Sequence, residues 1–580
     1  MSNFIKRNYT VFMILQSLLV VVWLSNLAMT DAYFSVYALI SFLSFFLIWN
    51  RNQHKFCESG RCKYMSICLS AVFSLLVILA NYPIFTTIGD PALIGRSTSL
   101  MVNFINSVLS FTGGICVSYP LISYFLNRFP VHGDEKNEIK FLNPAVIFIS
   151  FLIVNLIHLF LVEYPGNATE DTFTQISEMI SGSYSNFNTF WHTMMFRGIL
   201  ALGYSFFSDL NAAVAVFCVI QIILMAFAFT YCLVTMQQLR VPKFFWVAAY
   251  LIYFLIPYNI ALSITIWKDV LFACGTLVLL TAWLRILKRV GKNQFLNYLL
   301  FCLGSLLYFL SRTNGWLIYF VTAALVFVPL RRNKKFICVM SVMAVIGWVL
   351  LNPVLRMLNI AESDIVESLS IPIQQVSRVV ADGCEISEED ADLLSHVVDL
   401  DEIPIQYVSW LSDPMKEQIR EKDLIYFMDH YSEYQDLWIR LGIRHPWTYV
   451  KAWVDQTKGY WNGGYDYFLY AETITDNPYG VQKAIGGNPV ASLFRLYFGL
   501  SRHVIFFEPF HSIGLHIWIL ALCFVLNLAR RREAGMLFVP LFLLVLGLWF
   551  GTPVYSCFRY VYPLFVSFPL LVSSTIFSKD

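Results

Sequence analysis

The sequence predicts an all-α polytopic membrane protein, and three observations support this. The 580 residues are 58% hydrophobic and only 13% charged, which is too little polar surface to cover a soluble globule. At least fourteen apolar windows in the chain are long enough to cross a membrane. A hydrocarbon core of about 30 Å takes roughly twenty helical residues. Lys and Arg gather in alternate connectors between those windows, as the positive-inside bias requires.

The windows run, within a few residues, 9–29, 31–49, 65–85, 99–125, 142–162, 211–236, 244–263, 270–287, 295–311, 314–330, 336–352, 510–529, 534–551 and 558–576. The first is expected to stay as an anchor, because Lys6 and Arg7 precede a full-length span and no small-residue cleavage site follows. The connectors RNQHKFCESGRCK, NRFPVHGDEKNEIK, RVPK, RILKRVGKNQ, RRNKK and RRRE fall on one side, with the N-terminus and Lys579. That side is expected to be cytoplasmic. The assignment requires that residues 192–207 not cross; with His192 and Arg197 in its first two turns, this short segment suits a re-entrant or interfacial helix.

Four regions follow: N-terminal transmembrane helices over 1–141, a transmembrane core over 142–352 with a first large outer loop at 163–207, an outer segment over 353–509, and C-terminal transmembrane helices over 510–580. The stretch from Asn352 to Pro509 carries 24 Asp and Glu against 12 Lys and Arg, which by itself describes a solvated face. The formal charge of +2 and the lack of a long basic run exclude nucleic acid as a partner and leave the lipid bilayer as the first one. Most cysteines lie in apolar windows, and the outer regions hold only Cys384 and Cys557, so no disulfide framework is expected. Cys57 and Cys62, with His54 nearby, lack a standard zinc spacing, and no metal is assigned to them. No cofactor is indicated; whether a divalent metal takes part is left open.

The outer loop opens with EYPGNATEDTFTQ. Pro165 and Gly166 predict a turn, and Thr169 a helix cap with Glu170 and Asp171 in the first turn. Phe173, Ile176 and Ile180 form an apolar stripe expected to lie on the bilayer. Asp171, Gln175 and Glu178 form a polar stripe, with Asp171 facing a cavity. Complementing the helix dipole is the plainer role for Glu170 and Asp171.

Further polar residues recur at the outward ends of windows: Lys268 and Asp269 in ITIWKDVLF, Arg312 and Asn314 in FLSRTNGWL, Arg559 and Tyr560 in CFRYVYP. Cations are uncommon in short outer connectors. Singly they snorkel or pair with lipid headgroups; together, at one depth, they suit an anionic group at the leaflet surface, such as a lipid-linked phosphate.

EYPGNATEDTFTQ, the SN…HT that follows, WKDVLF, SRTNG, IPIQQVSRVV, HPWTYVKAW with GYW, and FRYVYP together resemble the motif series of a bacterial family of large multi-pass proteins allied to the GT-C class of membrane glycosyltransferases, over residues 142–580. Where that family commonly carries His and Pro before the retained HT, this chain has Phe187, Asn188 and Thr189. The resemblance implies a GT-C-like fold, a catalytic acid on the first outer loop, and a polyprenyl-phosphate-linked sugar as donor. Asp171 matches the acidic position. Lys268, Arg312 and Arg559, then Arg378, are candidates for the donor phosphate. Gln374 and Gln375 are candidates for sugar hydroxyls, although a capped surface helix explains them almost as well. Glu163 and His192 are candidates for orienting the site, and Gln175, Asp269, Asn314 and Tyr560 for contacting substrate. Tyr460 and Trp461 suit either a sugar face or, more commonly, an interfacial anchor.

The expected function is therefore an integral membrane glycosyltransferase acting on a cell-wall polymer or glycolipid acceptor outside the cytoplasmic membrane. The alternatives are a transporter or flippase, or a polymerase or ligase, of lipid-linked saccharides. Charges at the span centres would favour transport, and they are scarce in this chain.

Overall fold

The computed structural model describes residues 9–27, 43, 45–46, 60–82, 100–128, 142–462, 474–484, 487–503 and 507–577. Most of the window at 31–49, Cys57, most of the two basic connectors before residue 142, residues 463–473 and Lys579 lie outside the described residues. Within them the chain is helical, and its only extended pairings are isolated bridges.

Among the described residues, eight helices are long and apolar enough to cross a membrane. A ninth window is a bent pair, Lys243–Leu255 and Pro257–Ser263, turned by 53°. Pro257 has no N–H to donate and holds Ile256 extended (φ −70°, ψ 123°). Asn259 then bonds the Ile252 carbonyl from its side chain at 3.1 Å. Four further windows form shorter apolar helices, Met13–Leu24, Gln294–Leu310, Gly315–Phe327 and Ile513–Ala529. The chain is thus an α-helical membrane protein; hydropathy marked the apolar windows without their helix ends.

The helix Lys268–Leu287 is the most buried of these helices, with every residue from Asp269 to Ile286 buried, and lies beside Gln294–Leu310 and Phe558–Phe577. Backbones approach closely here: a Cβ on Gly275 would lie 2.7 Å from Leu307 Cβ, and one on Gly304 2.6 Å from Leu279 N. Large apolar side chains on the outer helices, such as Phe104, Val146 and Phe295, are exposed, as lipid-facing residues would be.

Two ends can be told apart. Arg285 links the connectors after residues 238 and 287 by bonding Gln238 (2.6 Å), Thr235 (3.0 Å) and Asn297 (2.9 Å), and Asn333 bonds Glu533 at 3.2 Å. This is the basic end. At the opposite end, helix Lys334–Leu351 leads into a group of helices that includes Ser370–Ala381, Asp413–Asp429, Tyr431–Arg444 and Pro446–Thr457. These close over their own core of Val366, Val379, Leu437 and Leu441. They are tied to the N-terminal helices at Tyr82, whose hydroxyl donates to Asp455 at 2.8 Å and accepts from Arg378 at 3.1 Å, and just beyond them by Trp461, whose Nε1 donates to the Leu76 carbonyl at 3.2 Å.

The segment 353–509 is therefore two parts in space. Its last long helix, Pro489–His503, leaves that helical group and lies on Pro144–Leu161, packing Phe494 and Phe498 tilted against His158 with ring centroids at 5.0 and 5.4 Å. Phe190–Phe207 turns back at Ser208 on the first turns of Leu210–Gln238, with Phe196 and Phe217 rings 4.9 Å apart and Gly203 against Ala213. It runs away from the basic end and does not return to it.

Candidate functional site

The turn at Pro165–Gly166 is held from below. Gly166 has φ +124°, and a Cβ there would meet Cys218 Sγ at 2.4 Å, so only glycine fits. Asn167 then pairs with residues 264–266 through N–H···O bonds of 2.9 and 3.0 Å. Gln221 braces the same strip from the long helix, donating to the carbonyls of Leu262, Ser263 and Thr265 at 2.9–3.1 Å. These bonds fix the start of Glu170–Ser181 beside the start of Lys268–Leu287. The loop helix opens with a capping box of Thr169 and Thr172 and closes on Gly182 in the left-handed region.

That register places Asp171 against residues far away in sequence. Arg559 Nη1 donates to Asp171 Oδ2 at 2.7 Å, and its Nε lies 3.9 Å from Asp269 Oδ2. Arg312 Nη1 donates to Asp269 Oδ1 at 3.1 Å. The result is a chain of alternating charge, Asp171, Arg559, Asp269, Arg312, across the ends of the innermost helices. Aromatic rings pack around it: Arg559 lies over Trp267 and Tyr560 at 5.1 and 4.9 Å, and Arg312 over Tyr560 and Phe272 at 5.2 and 5.4 Å. Arg559 Nη2 also donates to the Tyr560 hydroxyl at 2.9 Å. Lys268 joins from the loop side, donating to the Phe187 carbonyl at 2.8 Å and Asn188 Oδ1 at 3.1 Å. Burial works to raise the Asp171 carboxyl, but Arg559 and Lys268 outweigh it and hold it below the usual carboxylate value. Glu170, one residue earlier, is exposed.

Gln175 and His192 form the layer behind. Gln175 Nε2 lies 2.8 Å from His192 Nδ1 and 3.0 Å from Thr193 Oγ1, which makes Nδ1 the acceptor. His192 Nε2 is buried and has no hydrogen-bond partner among the described residues. Burial pushes this imidazole down to about 3; Lys268 adds to the fall and Asp171 opposes it. His192 is therefore neutral.

Of the residues singled out in the sequence, the structure brings together Asp171, Lys268, Asp269, Arg312, Arg559 and Tyr560, with Gln175 and His192 beside them. It places the others elsewhere. Arg378 lies in a separate cluster, bonded to Asp455 (2.5 Å) and the Tyr82 hydroxyl (3.1 Å), because its helix faces the N-terminal helices. Glu163 pairs with Lys483. Gln374 donates to the Val408 carbonyl at 2.6 Å, and Gln375 Oε1 accepts from Trp438 at 2.8 Å; both are buried inside the outer helical group rather than on a capped surface helix. Asn314 is exposed and caps Gly315–Phe327 through its backbone carbonyl only. Tyr460 and Trp461 are fully buried, so neither offers a face to a sugar or to lipid. The stripe on the loop helix also differs: Phe173 and Ile176 pack on protein, against the core that holds Phe196 and Phe217, and Ile180 is exposed.

The sequence pattern passed over Trp267 and the structural use of Asn188. Trp267 anchors the loop through Nε1 to Thr169 Oγ1 at 2.9 Å, and Asn188 joins Lys268 to the Asp171 carbonyl (3.4 Å). The signal for both lies in two of the motifs, WKDVLF and the stretch after SN. Among the described residues no three His, Cys, Asp or Glu side chains converge as a metal site.

Fold and site together define a helical membrane protein with a mixed-charge cluster at one end of its innermost helices. The chain belongs to DUF6020, a family of unknown function, whose model matches residues 180–579 and so begins just beyond Asp171. No curated protein matches the chain, and no solved structure does.

Proposed function

We propose that the protein is a membrane glycosyltransferase of GT-C type, moving a sugar from a polyprenyl-phosphate carrier to an extracytoplasmic cell-wall polymer or glycolipid, with some fourteen spans and both termini cytoplasmic. The observation that carries this reading is the 2.7 Å pair of Asp171 and Arg559 within a group of three cations and two carboxylates.

A donor phosphate is the stronger acceptor for Arg559, because it presents several charged oxygens to a guanidinium that now holds one carboxylate oxygen. Arg312 and Lys268 stand beside it. As Arg559 turns to the phosphate, Asp171 loses the partner that suppresses its basicity and becomes free to accept the proton of an acceptor hydroxyl. The acceptor oxygen forms the new bond to the anomeric carbon, the bond from that carbon to the phosphate oxygen breaks with its electron pair, and the polyprenyl phosphate leaves as an anion stabilised by the cations. Asp269, which holds Arg312, positions a cation and takes no proton.

The test uses detergent-purified protein, synthetic polyprenyl-phosphate sugars and an envelope extract, with no sealed membrane. Glycosylated product that is lost in Asp171→Asn supports the reading. Its absence across a broad donor panel, with movement of a labelled lipid-linked sugar in sealed vesicles, would replace it with transport.

A further inference from the structure

The outer helical group encloses a cavity of about 450 Å³, walled among others by Ile373, Val397, Ile419, Phe427, Tyr434 and Trp438. Protein interiors leave few voids larger than a water molecule, whereas small-ligand pockets run to roughly 300–1,000 Å³. One side of it is formed by the helix Asp413–Asp429, which is broken. Asp423 leaves helical geometry (φ −162°, ψ 81°), and its Oδ1 caps the second half by accepting from Tyr426 N at 2.8 Å. Ile419 before the break and Phe427 after it both line the cavity.

Of the three large side chains on the wall that carry a polar group, Tyr431, Tyr434 and Trp438, the last two are bonded to protein. The Tyr434 hydroxyl donates to the Leu393 carbonyl at 2.8 Å, and Trp438 Nε1 to Gln375 Oε1 at 2.8 Å. The wall therefore offers mainly hydrocarbon and ring faces. The exposed side chains of Gln435, Asp436 and Ile439 mark the mouth. The same two helices leave Ile425 (74%), Met428 (55%) and Ile443 (78%) bare to the outside, spaced three or four residues from a neighbour on one face. The group is entered directly from the transmembrane helix Lys334–Leu351, so a bilayer is the nearest source of ligand.

We propose that this cavity holds one hydrocarbon chain of a membrane lipid, entering past Ile439. An apolar cavity of about 150 Å³ already takes benzene, and this one has room for a chain of many carbons. The chemistry is shared by the acyl chain of a glycolipid and the prenyl chain of a carrier, and the experiment separates them.

Full-length protein in detergent is irradiated with a diazirine-bearing palmitic acid or with a diazirine-bearing short polyprenol, and the label is mapped by peptide mass spectrometry. Label is expected on peptides from 370–381 and 413–444, saturable, and reduced about tenfold in Ile419→Trp and in Val397→Trp, two independent ways of filling the cavity. Competition by unlabelled palmitate but not polyprenol assigns an acyl chain; the reverse assigns a prenyl chain. Label confined to the transmembrane helices with both probes, or unchanged in both filled variants, overturns the proposal. Sugar transfer plays no part in this readout, so its outcome is independent of the proposed activity.

Discussion

Replacing Asp171 by Asn separates a carboxylate that competes with substrate from one that merely holds the fold. The side chains of Asp171 and Arg559 are 27% and 21% exposed, so their 2.7 Å bond is partly desolvated. A hydrogen bond to a charged group contributes roughly 1.5–3 kcal/mol, and partial exposure argues for the lower end. The variant should therefore lose about 1–2 kcal/mol of stability. Arg559 keeps the Tyr560 hydroxyl at 2.9 Å and Asp269 at 3.9 Å, so it is not stranded. The same change frees Arg559 for a donor phosphate and raises the formal charge of the cluster by one. With every 1.4 kcal/mol worth a factor of ten, donor affinity should improve about tenfold while transfer is lost. Binding of a radiolabelled polyprenyl-phosphate sugar to purified variant, beside a single-turnover transfer assay, reads both. Weaker donor binding in Asp171→Asn, or retained transfer, would refute the exchange of Arg559 between carboxylate and phosphate. Glu170→Gln is the control, since that side chain is exposed, and both readouts should stay near wild type.

Lys268→Gln, Arg312→Gln and Arg559→Gln should each weaken donor binding by about ten- to a hundredfold in the same assay, with little effect on acceptor affinity. Arg378→Gln should leave donor affinity unchanged but lower the thermal midpoint, because it removes two hydrogen bonds from a buried cluster in which Asp455 keeps Lys458 and the Tyr82 hydroxyl. His192 gives a pH signature. Its folded value of about 3 lies below the usual 6.5, so the stability it contributes is fully present above about pH 6.5 and is lost as pH falls toward 3. Comparing wild type with His192→Gln across that window should isolate a slope of up to about 1.4 kcal/mol per pH unit; identical profiles would argue against a neutral buried imidazole.

The residues that meet in the cluster were legible for one reason. Lys268, Asp269, Arg312, Arg559 and Tyr560 each sit at the end of an apolar window, and counting alternate connectors along the chain is enough to put all of those ends on one side. Asp171 was legible from its place in the first turn of a helix whose cap, Thr169, is local. Residues outside that frame were not. Arg378 lies on a helix that no apolar window positions, and its partners Asp455 and Tyr82 are 77 and 296 residues away. Gln374 and Gln375 have side chains that suit a sugar as well as a buried carbonyl, and only the packing of the outer group decides between them. For the loop helix, period gave a buried face but not what buries it. Phe173 and Ile176 met the protein core formed with Leu210–Gln238, which no local pattern announces.

The placement of the cations argues that the cluster is not there for stability. Lys268 is the first residue of Lys268–Leu287, and Arg559 the second of Phe558–Phe577. A helix N-terminus carries about half a positive charge and favours acidic residues, each by roughly 0.3–1 kcal/mol. A basic side chain there runs against the local preference, twice, on two of the most buried helices of the chain. Asp269 and Asp171 are where the dipole wants them, and they offset two of the three positive charges, leaving the group one charge positive at the convergent N-termini of three helices. Departures from local preference concentrate at functional sites, and these two basic residues stand in the cluster that the proposed function uses. The proposed donor phosphate, placed at the end of these helices, would meet Arg559, Arg312, Lys268 and the helix dipoles together. It would also free the Asp171 carboxylate that Arg559 now holds.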